Sequence, residues 1–190
     1  MKIGLFFGSF NPIHIGHLAI ANYMANFTSL DKVWLVVSPH NPLKDKSVLI
    51  NTYDRLEMCK LAISDDTKIQ VSDIELHLPQ PSYTINTLTY LKEKYPEHEF
   101  SLIMGADNLN TLKKWKNYEL ILRDYHIYVY PRPKEIVTEF LKHPNVSITE
   151  APIMEISSTF IRQAIKNKQS VRYLLSDEVI EFIEAKSLYK

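Results

Sequence analysis

The chain has one cysteine, four glycines, no net charge and no long apolar run. Cys59 alone cannot form an internal disulfide, so a disulfide-stapled scaffold is excluded. No apolar segment reaches the length of a membrane span, and only about five apolar residues precede Gly8, too few for the core of a secretory signal. A reducing, cytoplasmic setting is expected. Lys and Arg number 22, as do Asp and Glu, so no overall field draws the protein to nucleic acid or to a membrane. Any anion must be held by a local site. The length of 190 residues suits a single domain spanning 1–190. Glycine is scarce, yet Gly8, Gly16 and Gly105 all fall in the stretches that carry chemistry.

The first of these is Gly8-Ser9-Phe10-Asn11-Pro12-Ile13-His14-Ile15-Gly16-His17-Leu18, which follows the strand-like run Ile3 to Phe7 and opens an amphipathic helix. Gly8 and Asn11-Pro12 are turn-formers, and Gly16 removes a side chain between two histidines. His14 and His17, three apart, share one face of a first helical turn. Unpaired amides, the positive helix end and two imidazole donors suit a polyphosphate. A capping pair or a metal site are the alternatives, the latter weaker because no Cys or carboxylate adjoins the histidines.

Along the chain, strand and helix patterns alternate. Strands are expected at Lys2 to Phe7, Val33 to Val37, Lys68 to Ile74, Phe100 to Met104, Tyr125 to Tyr130 and, briefly, Val146 to Ile148. Helices are expected around Ile20 to Phe27, after a cap at Asn51, from Ser82 or Thr84 to Tyr95, in a short stretch reaching Trp115, over 134–142, after Ser157, and from Asp177. This order predicts an α/β, doubly wound (Rossmann-like) parallel sheet with C-terminal helices, in which ligands sit beyond the carboxyl ends of the strands.

The chemistry-bearing residues fall at those ends. Lys44 and His40 lie in a proline-stiffened loop, where a basic group could meet a phosphate. Tyr83, Thr84 and Thr87 begin a helix, either as ligand contacts or simply as part of a cap. Gly105 permits close backbone approach, Asp107 and Asn108 could bind a ribose or an amide, and Trp115 could stack on a ring or fill the core. Glu155-Ile156-Ser157-Ser158-Thr159-Phe160-Ile161-Arg162 combines hydroxyls, free amides and a guanidinium into a second anion site, against the reading of a plain Ser cap with a surface arginine. No Ser-His-Asp order, activated cysteine or metal cluster is visible, so covalent catalysis is unsupported, whereas nucleotidyl transfer can run on positioning and charge stabilisation.

Gly8 to Leu18 with its His14-Ile15-Gly16-His17 core, and Ile156 to Arg162, resemble the paired signatures of the HxGH nucleotidyltransferase superfamily. Pro39 to Lys44, Ser82 to Leu88, and Gly105-Ala106-Asp107 with Trp115 resemble its bacterial nicotinate-nucleotide adenylyltransferase family. The resemblance spans nearly the whole chain, departing where Phe7-Gly8 stands for the usual two glycines and Asn11 for a common Asp. It implies adenylyl transfer from ATP to nicotinate mononucleotide, giving deamido-NAD and pyrophosphate in NAD biosynthesis.

Carried over by position, the resemblance implies catalytic roles for His14, His17 and Lys44, and ATP contacts from Gly8, Ser9, Phe10, Gly16, Ser157, Ser158 and Arg162. Tyr83, Thr84, Gly105, Asp107 and Trp115 would bind the mononucleotide, and Mg²⁺ would arrive with ATP rather than in a protein metal site. A homo-oligomer is compatible with the sequence. The rivals are phosphopantetheine adenylyltransferase, which usually has Thr where His14 stands, other nucleotidyltransferases of the superfamily such as a cytidylyltransferase, a class I aminoacyl-tRNA synthetase fragment, and a non-catalytic nucleotide sensor.

Overall fold

Among the described residues, six strands pair in parallel in the order β3-β2-β1-β4-β5-β6. They are β1 Lys2–Gly8, β2 Lys32–Val37, β3 Ile69–Ser72, β4 Glu99–Gly105, β5 His126–Tyr130 and β6 Val146–Ile148. The computed structural model describes residues 1–39, 49–133 and 138–190. Side chains alternate across the sheet with the period of two that strands impose. Phe6, Val33, Leu35 and Ile103 enter the core on one face, and Ile3, Leu5, Val36 and Leu102 the core on the other. Burial on both faces explains why these strands read as continuous apolar runs.

Seven α-helices among the described residues cover the two faces. α1 (Ile15–Phe27), α2 (Thr52–Ile63), α6 (Ser158–Lys166) and α7 (Asp177–Ala185) contribute Met24, Cys59, Ile161 and Ile183 to the first core. α3 (Thr84–Lys94), α4 (Ala106–Asn110) and α5 (Tyr118–Asp124) contribute Leu88, Leu109 and Ile121 to the second. None of the helices described is long and apolar enough to cross a membrane.

The chain starts in the middle of the sheet, runs outward through β2 and β3, then returns to lay β4 against β1, with Leu5 opposite both Trp34 and Leu102. The order reverses between β1 and β4. There the βα loops part in opposite directions and leave a crevice at the strands' carboxyl ends.

Some local expectations are corrected. The third strand is only Ile69–Ser72, because Ile74–Leu76 turns into a 3₁₀ helix. Of the helix expected over 134–142, only a 3₁₀ turn at Glu139–Lys142 stands among the described residues, since 134–137 lie outside them. No helix is expected from the sequence at Tyr118–Asp124, where α5 stands. Asn51 caps α2 by accepting from the Tyr53 amide at 2.9 Å. Neither Ser82 nor Thr84 caps α3: Tyr83 holds that position without a side-chain bond, and the Ser82 hydroxyl donates to the Gln80 side chain instead.

Candidate active site

β1 ends at Gly8, and the turn that follows is made by Phe10 rather than by a glycine. Phe10 takes the left-handed conformation, φ 43°, and its ring folds back over Gly8, where a Cβ would come within 2.7 Å of it. Gly8 is therefore required by close approach and not by its own backbone angle. Asn11-Pro12 is a cis bond, and α1 then begins with His14 as its N-cap residue.

The two histidines form one unit. Their rings stack with centroids 3.7 Å apart, and the His14 amide donates to His17 Nδ1 at 3.3 Å. That bond makes His17 Nδ1 an acceptor and puts the proton of its neutral ring on Nε2. His14 is buried, and burial, reinforced by the nearby Arg132 charge, pulls its pKa down to about 4. It is a neutral imidazole at pH 7, able to donate but not to carry charge. Gly16 lets this ring lie against the helix, because a Cβ there would stand 3.1 Å from it.

The second anion stretch folds onto the first. Ser157 caps α6 by accepting from the Phe160 amide at 3.2 Å. Ser158 donates to the Pro12 carbonyl at 2.9 Å, and Arg162 donates to the Asn11 carbonyl at 2.8 Å. Neither α1 nor α6 has an acidic residue in its first turn, so both positive helix ends are left for an anion. Between them opens a cleft of about 480 Å³, lined by Gly8, Ser9, Phe10, His14, His17, Ser157, Ser158 and Arg162.

A second cavity, of about 290 Å³, lies on the other side of the end of β1 and is lined by Tyr83, Thr84, Trp115, Glu75, Lys114 and Lys116. Phe7, Gly8, Ser9 and Asn108 line both. The two open on the same loop. Trp115 packs partly against the core while its Nε1 is sealed from solvent with no partner among the described residues. It is core residue and cavity wall at once.

Several sequence-derived positions fall elsewhere. Asp107 lines the larger cleft with the histidines, not the Tyr83 and Trp115 cavity, and pairs with Arg132 at 3.7 Å. Gly105 is buried and lines neither cavity, and a Cβ there would collide with the Asp107 carboxylate. Thr87 is no ligand contact: it is buried and donates to Glu75 Oε1 at 2.9 Å. Lys44 and His40 lie outside the described residues.

Three residues that sequence reasoning did not assign also shape the site. Arg132 lines the cleft and donates to the Met154 carbonyl at 3.3 Å. Tyr189 donates to Asn11 Oδ1 at 2.9 Å, bringing the end of the chain to the loop. Arg55 is fully buried and donates to the carbonyls of Ser9 (2.5 Å), Ser38 (2.8 Å), Pro39 (3.0 Å) and Ile50 (3.3 Å). Across a trans peptide the C=O and the following N–H point opposite ways. Holding the Ser9 carbonyl inward therefore turns the Phe10 amide away from Arg55. Only its position after a cap and a loop could have marked this arginine, and that signal is weak.

Among the described residues, no three His, Cys, Asp or Glu side chains gather as a metal site would require. The arrangement can bind an extended phosphate chain between two helix ends and hold a ring in an adjoining aromatic cavity. Both functions meet at the carboxyl end of β1.

Residues 5–164 match the cytidylyltransferase-like family. A Flavobacterium johnsoniae protein named "Probable nicotinate-nucleotide adenylyltransferase" is 58% identical, with 100% of each chain covered. A Flavobacterium psychrophilum protein of the same name is 57% identical, again over 100% of both. The fold is that of the Plasmodium falciparum nicotinic acid mononucleotide adenylyltransferase complexed with NaAD, at a TM-score of 0.84 and 21% identity over 99% of this chain and 97% of that one. With two signatures folded onto one loop and full-length relatives of one name, the chain belongs to the cytidylyltransferase-like family and, within it, to the nicotinate-nucleotide adenylyltransferases.

Proposed function

We propose that this chain joins ATP and nicotinate mononucleotide by adenylyl transfer, releasing pyrophosphate and forming deamido-NAD. The observation that carries the reading is the two-lobed cleft, whose phosphate side and aromatic side share Gly8 and Ser9. A reaction that links two nucleotides needs two such sites on one loop.

In this reading a 5′-phosphate oxygen of the mononucleotide attacks the α-phosphorus of ATP in line. One P–O bond forms as the bond to the β-phosphate bridging oxygen breaks, and pyrophosphate leaves. Ser157, Ser158, Arg162 and the α6 amides hold the β and γ phosphates, while Ser9, Phe10 and the start of α1 hold the α-phosphate. His14 and His17 donate to oxygens on which charge grows, and the Lys44 side chain adds charge to the same group. His14 does so as a neutral ring, since its pKa of about 4 keeps it uncharged. Tyr83, Thr84 and Trp115 cradle the nicotinate ring.

Asp107 and Arg132 together line the cleft as an ion pair. Asp107 is the one carboxylate among the described residues lining that cleft, and it is already paired, which suits Mg²⁺ entering as MgATP with its own water shell. The buried thiol of Cys59 accords with a reducing cytoplasm. The test is pyrophosphate release from MgATP with nicotinate mononucleotide, nicotinamide mononucleotide or phosphopantetheine offered separately. Release with phosphopantetheine alone would favour the rival adenylyltransferase.

A further inference from the structure

Glu75 is 2% exposed, yet it lines the cavity that holds Tyr83, Thr84 and Trp115. Its carboxyl joins two segments of that wall. Oε1 accepts from Thr87 on α3 at 2.9 Å, and the hydroxyl of Ser38, at the end of β2, also faces the group. Its main-chain carbonyl accepts from the Gln80 side chain at 3.0 Å, which fixes the start of the same turn. α3 has no side-chain cap of its own, so its first turn depends on such outside ties.

We propose that Glu75 is a positioning residue for the mononucleotide side of the site: its carboxyl staples the first turn of α3, which carries Tyr83 and Thr84, to the end of β2. The inference rests on the adenylyl-transfer reading for what occupies the cavity, but not for the staple itself. Oε2 is sealed from solvent with no partner at hydrogen-bond distance among the described residues, an arrangement an ionised carboxylate tolerates poorly. Burial pushes its pKa up, against the neighbouring hydroxyls, which favour the charged form. The other titratable groups lining the cavity among the described residues are Tyr83, Lys114 and Lys116, and Lys116 is engaged over the Tyr83 ring at 4.5 Å. Glutamine keeps an acceptor oxygen for the Thr87 hydroxyl in nearly the same shape.

The test compares wild type, Glu75→Gln, Glu75→Ala and Thr87→Val as full-length proteins by two readouts. The first is hydrogen exchange of the Asn86 and Thr87 amides, both bonded to the Tyr83 carbonyl, with α6 as internal control. The second is steady-state kinetics with MgATP and nicotinate mononucleotide. Glu75→Ala is expected to speed exchange at these amides about tenfold or more without changing α6. It should raise KM for the mononucleotide about tenfold while leaving KM for ATP within about twofold. Glu75→Gln should restore both, and Thr87→Val, which keeps Glu75, should move both in the Ala direction by less. Unchanged exchange, equal rises in both KM values, or a Gln variant no better than Ala would overturn the staple. Absence of turnover in the wild type would instead overturn the substrate reading, and the exchange data would still decide the staple.

Discussion

The Arg162 guanidinium donates to the Asn11 carbonyl at 2.8 Å, closing a contact between residues 151 positions apart. Its other arm reaches the Thr159 hydroxyl at 3.2 Å. One planar group thus braces the loop and the helix end that face the phosphate cleft. Arg162→Lys keeps the charge but not the fork. Its kcat/KM for ATP should fall about tenfold to a hundredfold, with KM for the mononucleotide little changed. Kinetics with each substrate varied in turn checks this, and equal losses for both would deny the assignment to ATP.

His17→Ala removes the ring stacked on His14 and the acceptor for the His14 amide. The expected result is a folded protein whose kcat is lower by about a hundredfold, as when one charge-stabilising donor is lost. Circular dichroism checks the fold. A raised KM with kcat unchanged would assign His17 to ground-state binding.

His14 titrates near 4 in the folded chain against an ordinary value of 6.5. Between these values the unfolded chain binds the extra proton, so stability falls as pH falls. The contribution is complete above pH 6.5 and costs up to about 3 kcal/mol by pH 4. Glu75, whose pKa is shifted upward by burial, works the other way, so the wild-type curve alone mixes the two. Urea unfolding of wild type and His14→Asn at several pH values separates them. The difference between the curves should be flat above pH 6.5 and slope below it, and a parallel pair would contradict the buried, neutral His14.

Trp115 lines the smaller cavity and touches the second core. Trp115→Ala should weaken the mononucleotide more than ATP. KM values for the two substrates decide it. Equal weakening, with a drop in melting temperature, would make Trp115 chiefly a packing residue.

How much of this was legible in the sequence follows from what each signal depends on. Strand runs such as Ile3 to Phe7 and Val33 to Val37 are buried on both faces, so their apolar continuity survives without knowledge of neighbours. The histidine pair and the Ser157 to Arg162 stretch are local motifs, and the structure brings them onto one loop. Thr87 was misread because its hydroxyl looks available until Glu75 is seen beside it. Asp107 was set with Tyr83 because sequence order does not tell which side of the β1 end a loop falls on. Arg55 went unnoticed for a similar reason. Its partners are main-chain carbonyls of Ser9, Ser38, Pro39 and Ile50, and carbonyls leave no trace in a sequence.

The most direct measurement follows pyrophosphate release from the wild-type protein with MgATP and each mononucleotide, and identifies the dinucleotide product. The expected result is stoichiometric pyrophosphate and deamido-NAD with nicotinate mononucleotide, and loss of both in the His17→Ala, Arg162→Ala double variant. No pyrophosphate with either mononucleotide, from protein that is folded and binds ATP, would contradict adenylyl transfer at this cleft.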